Sequence, residues 1–458
     1  MWGQKLLLIS LLIGLMIFHP LYNQTTITFL VDKSHEKRLQ DGSSMPQLTW
    51  NRTYSWSSRD NPRSGLETED GGLAILSYSE PEGSAELDFR LVKLDSNGNL
   101  LWTHTYGGED YDYGMSVVQT TGGGFALTGY TYSYGAGSAD AWLIKTNADG
   151  KVEWERTYGE PNEDIANTLI QTVDDGYLLA GTSRSYGRGD VDAWLLKTDN
   201  KGVMQWSQTY GGPRWDEAES LIQTDDGGYV FTGVRSIGDS ASPEELWVAK
   251  TDATGKMEWN RTYGGIWTDQ AYSVISSREG GYTIAGRNVP DETGERGPDF
   301  WLVKTDVHGV VEWNCTYGGL GLETARSVVQ TADGGYALLG ETDSFGAGSY
   351  DFWLVKTDAN GTAQWNQTYG GPHKECPNSL VKTSDGGLVL IGYIKPLDIF
   401  NYSYLIIKIG GEMISDTLTP TQPSQLNFIH TLLIPLGISI IILLGVFVII
   451  VTRKRKSY

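Results

Sequence analysis

SVVQTADGGYALLGETDSFGAGSYDFWLVKTDANGTAQWNQTY, residues 327–369, is one copy of a unit that fills most of this chain. SVVQT and YALLGET are short apolar-rich runs parted by ADGG, a tight turn where glycine reaches positive φ at no steric cost. FWLVKT follows, then DANG, then TAQWNQTY. The unit reads as four strands, a to d from an axis outward, with no helical period anywhere.

Working outward, the same landmarks recur in step. The tryptophan of strand d stands at Trp50, Trp102, Trp154, Trp206, Trp259, Trp313 and Trp365, at spacings of 52, 52, 52, 53, 54 and 52 residues. A turn glycine recurs at Gly72, Gly124, Gly176, Gly228, Gly281, Gly335 and Gly387, and a lysine at Lys93, Lys145, Lys197, Lys250, Lys304, Lys356 and Lys408. A period near fifty with strand content means propeller blades, sheets that cannot bury their faces alone. The fold class is therefore all-β, a seven-bladed β-propeller. The first repeated tryptophan, in QLTWNRTY (47–54), precedes any strand a, b or c, and the last unit lacks a strand d. Pairing the N-terminal strand with the last blade closes the ring and removes the unpaired edge.

The repeat TYGG, an acidic residue, SVVQT, DGGYALLG, DFWLVKTD, NG and W resembles the bacterial and archaeal surface propeller repeat called SBBP. TDATGKMEW (251–259) is also similar to the tryptophan-docking motif of quinoprotein-type propellers. The resemblance covers roughly residues 47–410 and implies the fold and an extracellular setting. It implies no activity and carries over no cofactor residues.

The ends divide the rest. Residues 6–18 form an apolar run behind Lys5, the length of a signal-peptide core, so 1–22 reads as a signal peptide and 23–44 as a linker. The propeller spans 45–411. A Thr/Pro-rich stalk at 412–430 leads to a transmembrane helix at 431–452, where 432–451 carries no charge, and a basic tail at 453–458 marks the cytoplasmic side. The expectation is a single-pass type I cell-membrane protein. Formal charge is −21, and Arg453, Lys454, Arg455 and Lys456 contribute +4, so everything before them sums to −25. That balance repels phosphate backbones and argues against nucleic-acid partners.

Seven sequons fit an exported chain: Asn23, Asn51, Asn260, Asn314, Asn360, Asn366 and Asn401. Asn51, Asn260, Asn314 and Asn366 follow the repeated tryptophan directly, on the outermost strand. The two cysteines, Cys315 and Cys376, occupy different repeat positions, which disfavours a disulfide. The strand-d tryptophans read as structural wedges between blades, each burying ~150–250 Å². A second series, Trp142, Trp194, Trp247, Trp301 and Trp353, interrupted by Arg90 and Leu405, also reads as core.

Six positions after the tyrosine of each TYGG-type turn comes a carboxylate: Asp60, Asp112, Asp164, Asp216, Asp269, Glu323 and Glu375. Four residues later comes a hydroxyl: Ser64, Ser116, Thr168, Ser220, Ser273, Ser327 and Ser379. The favoured reading is structural, with the carboxylate accepting backbone N–H and hydroxyl bonds to fix the d–a connection. The functional alternative is a ring of charge at a channel mouth that binds calcium, helped by the acids heading strand c (Asp88, Asp140, Asp192, Glu245, Asp299 and Asp351). No cofactor is expected beyond that candidate ion.

Catalysis finds little in the residues. None of the six histidines forms a ligand-spaced pair, and no nucleophile elbow, phosphate loop or dinucleotide fingerprint is present. All length variation falls between strands b and c, as in SIGDSASPEE and NVPDETGERGPD. In up-and-down blades the b–c and d–a loops share one face, here called the loop face, and function concentrates in loops on a rigid scaffold. The expected role is binding or adhesion toward an extracellular protein or glycan. A cell-surface hydrolase or quinone-dependent enzyme on the same scaffold is the alternative.

Overall fold

The computed structural model describes residues 46–410 apart from 82, 85, 237–243, 266, 290–295 and 397–400. Within them, 28 strands make seven four-stranded antiparallel sheets. Blade one is typical. Asn61–Glu67 lies innermost, followed by Leu73–Ser79, Asp88–Leu94 and Leu100–Tyr106 in chain order.

The seventh sheet is completed from both ends of the array. Lys374–Lys382, Leu388–Lys395 and Ser403–Ile409 are followed outward by Leu48–Tyr54, with Trp50 opposite Lys408 and Tyr54 opposite Tyr404. The closure read from the sequence is thus the closure observed. Gly410 N donates to the Gln47 carbonyl and Thr49 Oγ1 to the Gly410 carbonyl, so the two chain segments replace the missing c–d turn.

The core lies between blades rather than inside them. Leu76 and Phe89 of blade one pack with Val117, Phe125, Leu127 and Trp142 of blade two, and the same arrangement recurs around the ring. Burying such side chains stabilises each interface by roughly 25 cal/mol per Å² of apolar surface, which no single blade could achieve alone. Strand-d tryptophans reach across to the next blade. The Trp102 and Trp154 rings sit where a Cβ at Gly150 or Gly202 would come within 2.8 and 2.7 Å, and both glycines hold φ near +75 (+76 and +74). Glycine is required there twice over, for the φ and for the ring. Tyrosines of the TYGG turns complete the same joint, as in Tyr158 donating to the Gly202 carbonyl at 2.6 Å.

The signal peptide, linker, stalk, transmembrane helix and tail lie outside the described residues, as does the centre of the unit-five loop. Among the described residues, no helix is long and apolar enough to cross a membrane.

Candidate functional site

Each repeated carboxylate is built in by its own d–a loop. Asp112 accepts the Gly108 N–H at 2.8 Å, Asp164 the Glu160 N–H at 2.9 Å, Asp269 the Gly265 N–H at 2.8 Å and Glu323 the Gly319 N–H at 2.9 Å. Asp60, Asp216 and Glu375 accept from Trp56, Gly212 and Gly371 in the same way. In several units a second donor comes from the end of strand b or the b–c loop, such as Ser133 Oγ on Asp112 at 2.9 Å or Thr342 Oγ1 on Glu323 at 2.8 Å. All seven are buried.

The acids heading strand c join them in pairs. A Cβ on Gly107 would strike both Asp88 and Asp112, and one on Gly370 both Asp351 and Glu375. The first glycine of TYGG is therefore the gap between two carboxylates of consecutive blades. Burial pushes Asp88 up to about 6, with the charge of Asp112 adding to it. Burial likewise lifts Asp216 and Asp299 to about 6 and Glu375 to about 7. Among the described residues no three His, Cys, Asp or Glu side chains come together as a metal-ligand set.

The hydroxyl series behaves differently from expectation. Ser64 Oγ accepts the Val117 N–H at 3.3 Å, Ser220 Oγ the Val274 N–H at 3.2 Å and Ser327 Oγ the Leu380 N–H at 3.2 Å. These hydroxyls bind the next blade's inner strand, not their own loop carboxylate. The cause is a β-bulge one residue earlier, which turns the hydroxyl sideways toward its neighbour.

That bulge places a residue the sequence reading passed over. The bulged positions are Arg63, Met115, Asn167, Glu219, Tyr272, Arg326 and Asn378. Together with the hydroxyls they line an axial cavity of about 200 Å³. The channel is thus walled by these side chains and not by the carboxylate ring. The available signal was variety: at this one position, three residues after each carboxylate, the seven units carry five different residue types.

The loop face carries a continuous polar and aromatic strip across blades one to four. Tyr78 lies 5.0 Å from Tyr113, which stacks on Tyr130 at 4.8 Å, and Tyr130 is 6.2 Å from Tyr132. Glu163 pairs with Arg184 at 2.9 Å, Arg184 lies over the Trp215 ring at 5.4 Å, and Trp215 Nε1 donates to Glu217 at 3.1 Å. The exposed large aromatics of the described residues, Tyr132, Tyr134, Tyr186, Trp215 and Trp267, all sit in b–c or d–a loops. Large side chains exposed on the other face, such as Val173 and Val307, are aliphatic.

The structure places the strand-d tryptophans half-buried against the next blade and the strand-c tryptophans fully inside. Of the sequon residues, Asn314 and Asn360 are exposed, while Asn51, Asn260, Asn366 and Asn401 are half-buried. Asn314 and Asn366 also accept the Nε1–H of Trp301 and Trp353, each at 3.2 Å. Asn23 lies outside the described residues. Cys315 and Cys376 are both free.

No family model matches the chain. A stretch of 124 residues, 24% of this chain, is 27% identical to the regulatory protein FlaEY of Caulobacter vibrioides, and it spans only 13% of that protein. Among solved structures, an ulvan lyase of the polysaccharide lyases aligns over 79% of this chain and 96% of its own at 9% identity, with a TM-score of 0.50. The propeller domain of the trilobed protease from Pyrococcus furiosus aligns over 83% and 100% at 9% identity, with a TM-score of 0.44. At 9% identity the likeness to the ulvan lyase concerns the fold alone, and the seven blades stand on the sheet topology.

Proposed function

We propose that this chain is a membrane-tethered extracellular binding scaffold whose loop face takes a glycan or protein partner. One observation carries the reading: exposed aromatics gather on the loop face, interleaved with the Glu163–Arg184 pair. Flat rings flanked by charged hydrogen-bonding groups are what a sugar ring or an amphipathic protein surface requires. The b–c ends are also held still. Asp164 N donates to the Ala139 carbonyl at 2.7 Å and Glu375 N to that of Tyr350 at 2.8 Å, so each b–c loop is stitched to the next d–a loop. Preorganised side chains lose less entropy on binding.

The SBBP-type repeat, the apolar N-terminal run, the stalk and the basic-flanked apolar segment support the extracellular, type I setting. Resistance of the full-length protein to alkaline extraction, with protease access to the propeller from outside intact cells, checks it. Glycan and protein arrays probed with the full-length protein test the binding. Trp215→Ala and Tyr132→Ala are expected to lower affinity at least tenfold, with the fold retained by circular dichroism. Binding indifferent to both would remove the loop face as the site.

A further inference from the structure

The axial cavity holds charged groups that the loop face does not use. Two guanidinium groups, from Arg63 and Arg326, reach it in a chain with 56 acidic residues against 35 lysines and arginines. Arg326 is partly committed, pairing with Glu341 at 3.0 Å and lying 4.4 Å over the Tyr272 ring. The Arg63 guanidinium makes no hydrogen bond or ion pair among the described residues. The one acid at a bulge position, Glu219, also lacks such a partner there.

Burial pushes the Glu219 carboxyl upward, the charge of Glu217 adds to this, and Arg63 and Arg326 oppose it. A carboxyl raised in this way neutralises less of the positive charge and offers a donor hydrogen. The amides on the wall are already spent: Asn167 Nδ2 donates to the Ala218 carbonyl at 3.2 Å and Asn378 Nδ2 to that of Pro62 at 2.7 Å. What remains open to a guest is guanidinium and hydroxyl chemistry, with the Glu219 carboxyl beside it. A guanidinium in a confined space calls for an oxygen anion that it can grip with two parallel N–H groups. The room, about 200 Å³, is below the ~300 Å³ at which drug-sized sites begin, so the guest is small.

From this geometry we infer that the axial cavity is a binding site for a small oxyanion, gripped by Arg63 and Arg326 and bordered by the inner-strand hydroxyls. The site is separate from the loop face, so either can fail without the other. Sulfate and phosphate represent an inorganic source, and D-glucuronate represents a sugar acid.

The test uses full-length protein at constant ionic strength, titrated with sodium sulfate, phosphate or glucuronate against sodium chloride. A saturable rise in the melting midpoint is expected with at least one oxyanion and not with chloride. Saturation by glucuronate alone assigns the sugar-acid source, and saturation by the inorganic ions assigns the other. Arg63→Gln is expected to weaken the response at least tenfold, whereas Arg261→Gln, on an outer strand, leaves it unchanged. Should R63Q fail to fold, phenylglyoxal labelling of the wild type replaces it: the anion is expected to slow modification of Arg63 and Arg326 at least threefold. No saturable shift, an equal shift in folded R63Q, or labelling without protection would each overturn the site. A response to polyamines that Glu219→Gln removes would overturn it in favour of a cation.

Discussion

Glu375 shows how a repeated residue can be both structural and strained. It is fully buried, accepts only the Gly371 N–H at 3.3 Å, and its Oε1 finds no partner among the described residues. Burial first, and then the charge of Asp351, lifts its carboxyl from 4.5 to about 7. The folded protein therefore holds this proton more tightly than the unfolded chain. The stability it contributes is complete below its ordinary 4.5 and is lost as pH rises through about 7. Glu375→Gln removes that dependence. We expect the variant to gain on the wild type by on the order of 2–3 kcal/mol between pH 4 and pH 8 in urea titrations. A difference that stays constant with pH would show an unperturbed carboxyl. Asp226 works in the opposite sense: its bond with Lys250 holds it at about 2, so its contribution stands above its ordinary 3.8 and is lost as pH falls through about 2. The sequence shows Glu375 as a repeat landmark. Which acid is strained depends on how many donors its own loops aim at it and on the charge the preceding blade sets beside it, as Asp351 does for Glu375.

At the scale of elements, the strand Leu48–Tyr54 bears the most for its length. It covers the edge of Ser403–Ile409, and Trp50 and Tyr54 pack with Ile406 and Tyr404 in one cluster. It also carries the joint to blade one, where Trp50 Nε1 donates to the Ser96 carbonyl at 3.3 Å. Deleting residues 45–54 exposes an apolar edge and breaks that joint at once. We expect the truncated protein to lose its cooperative melting transition or to aggregate; a melting midpoint within a few degrees of the parent would contradict the closure. This strand was legible because the count of tryptophans and the count of complete units were offset by one strand. The bulges were not legible, since a bulge leaves the strand's length and alternation readable while shifting which side chain meets the axis.

The whole molecule is a ring in which like charges are separated by burial and bonding rather than by distance. Its repeated carboxylates are sealed between blades, each already taking N–H donors from its own loop. A divalent ion would have to displace those bonds without a ready three-residue ligand set among the described residues. Calcium titrated into chelated full-length protein is therefore expected to give no saturable heat and to leave the melting midpoint unmoved to millimolar concentration. A saturable shift abolished by Asp112→Asn would instead make these acids ligands.

The chain by itself determined the class, the number of blades, the order of strands and the site of closure. Each follows from local periodicity and turn chemistry, repeated often enough that tertiary context could not override it. The tertiary structure alone decided which side chains face the axis, which hydroxyls bind the next blade and where the exposed aromatics gather. Tyr113 and Tyr130 already face each other across one sheet, but Tyr78 of blade one meets Tyr113 of blade two only when adjacent sheets are set side by side. Arg63 and Glu219 come to one cavity only because seven bulges turn inward around a common axis. Contacts of that kind are set by the angle between blades, a quantity that no single repeat contains.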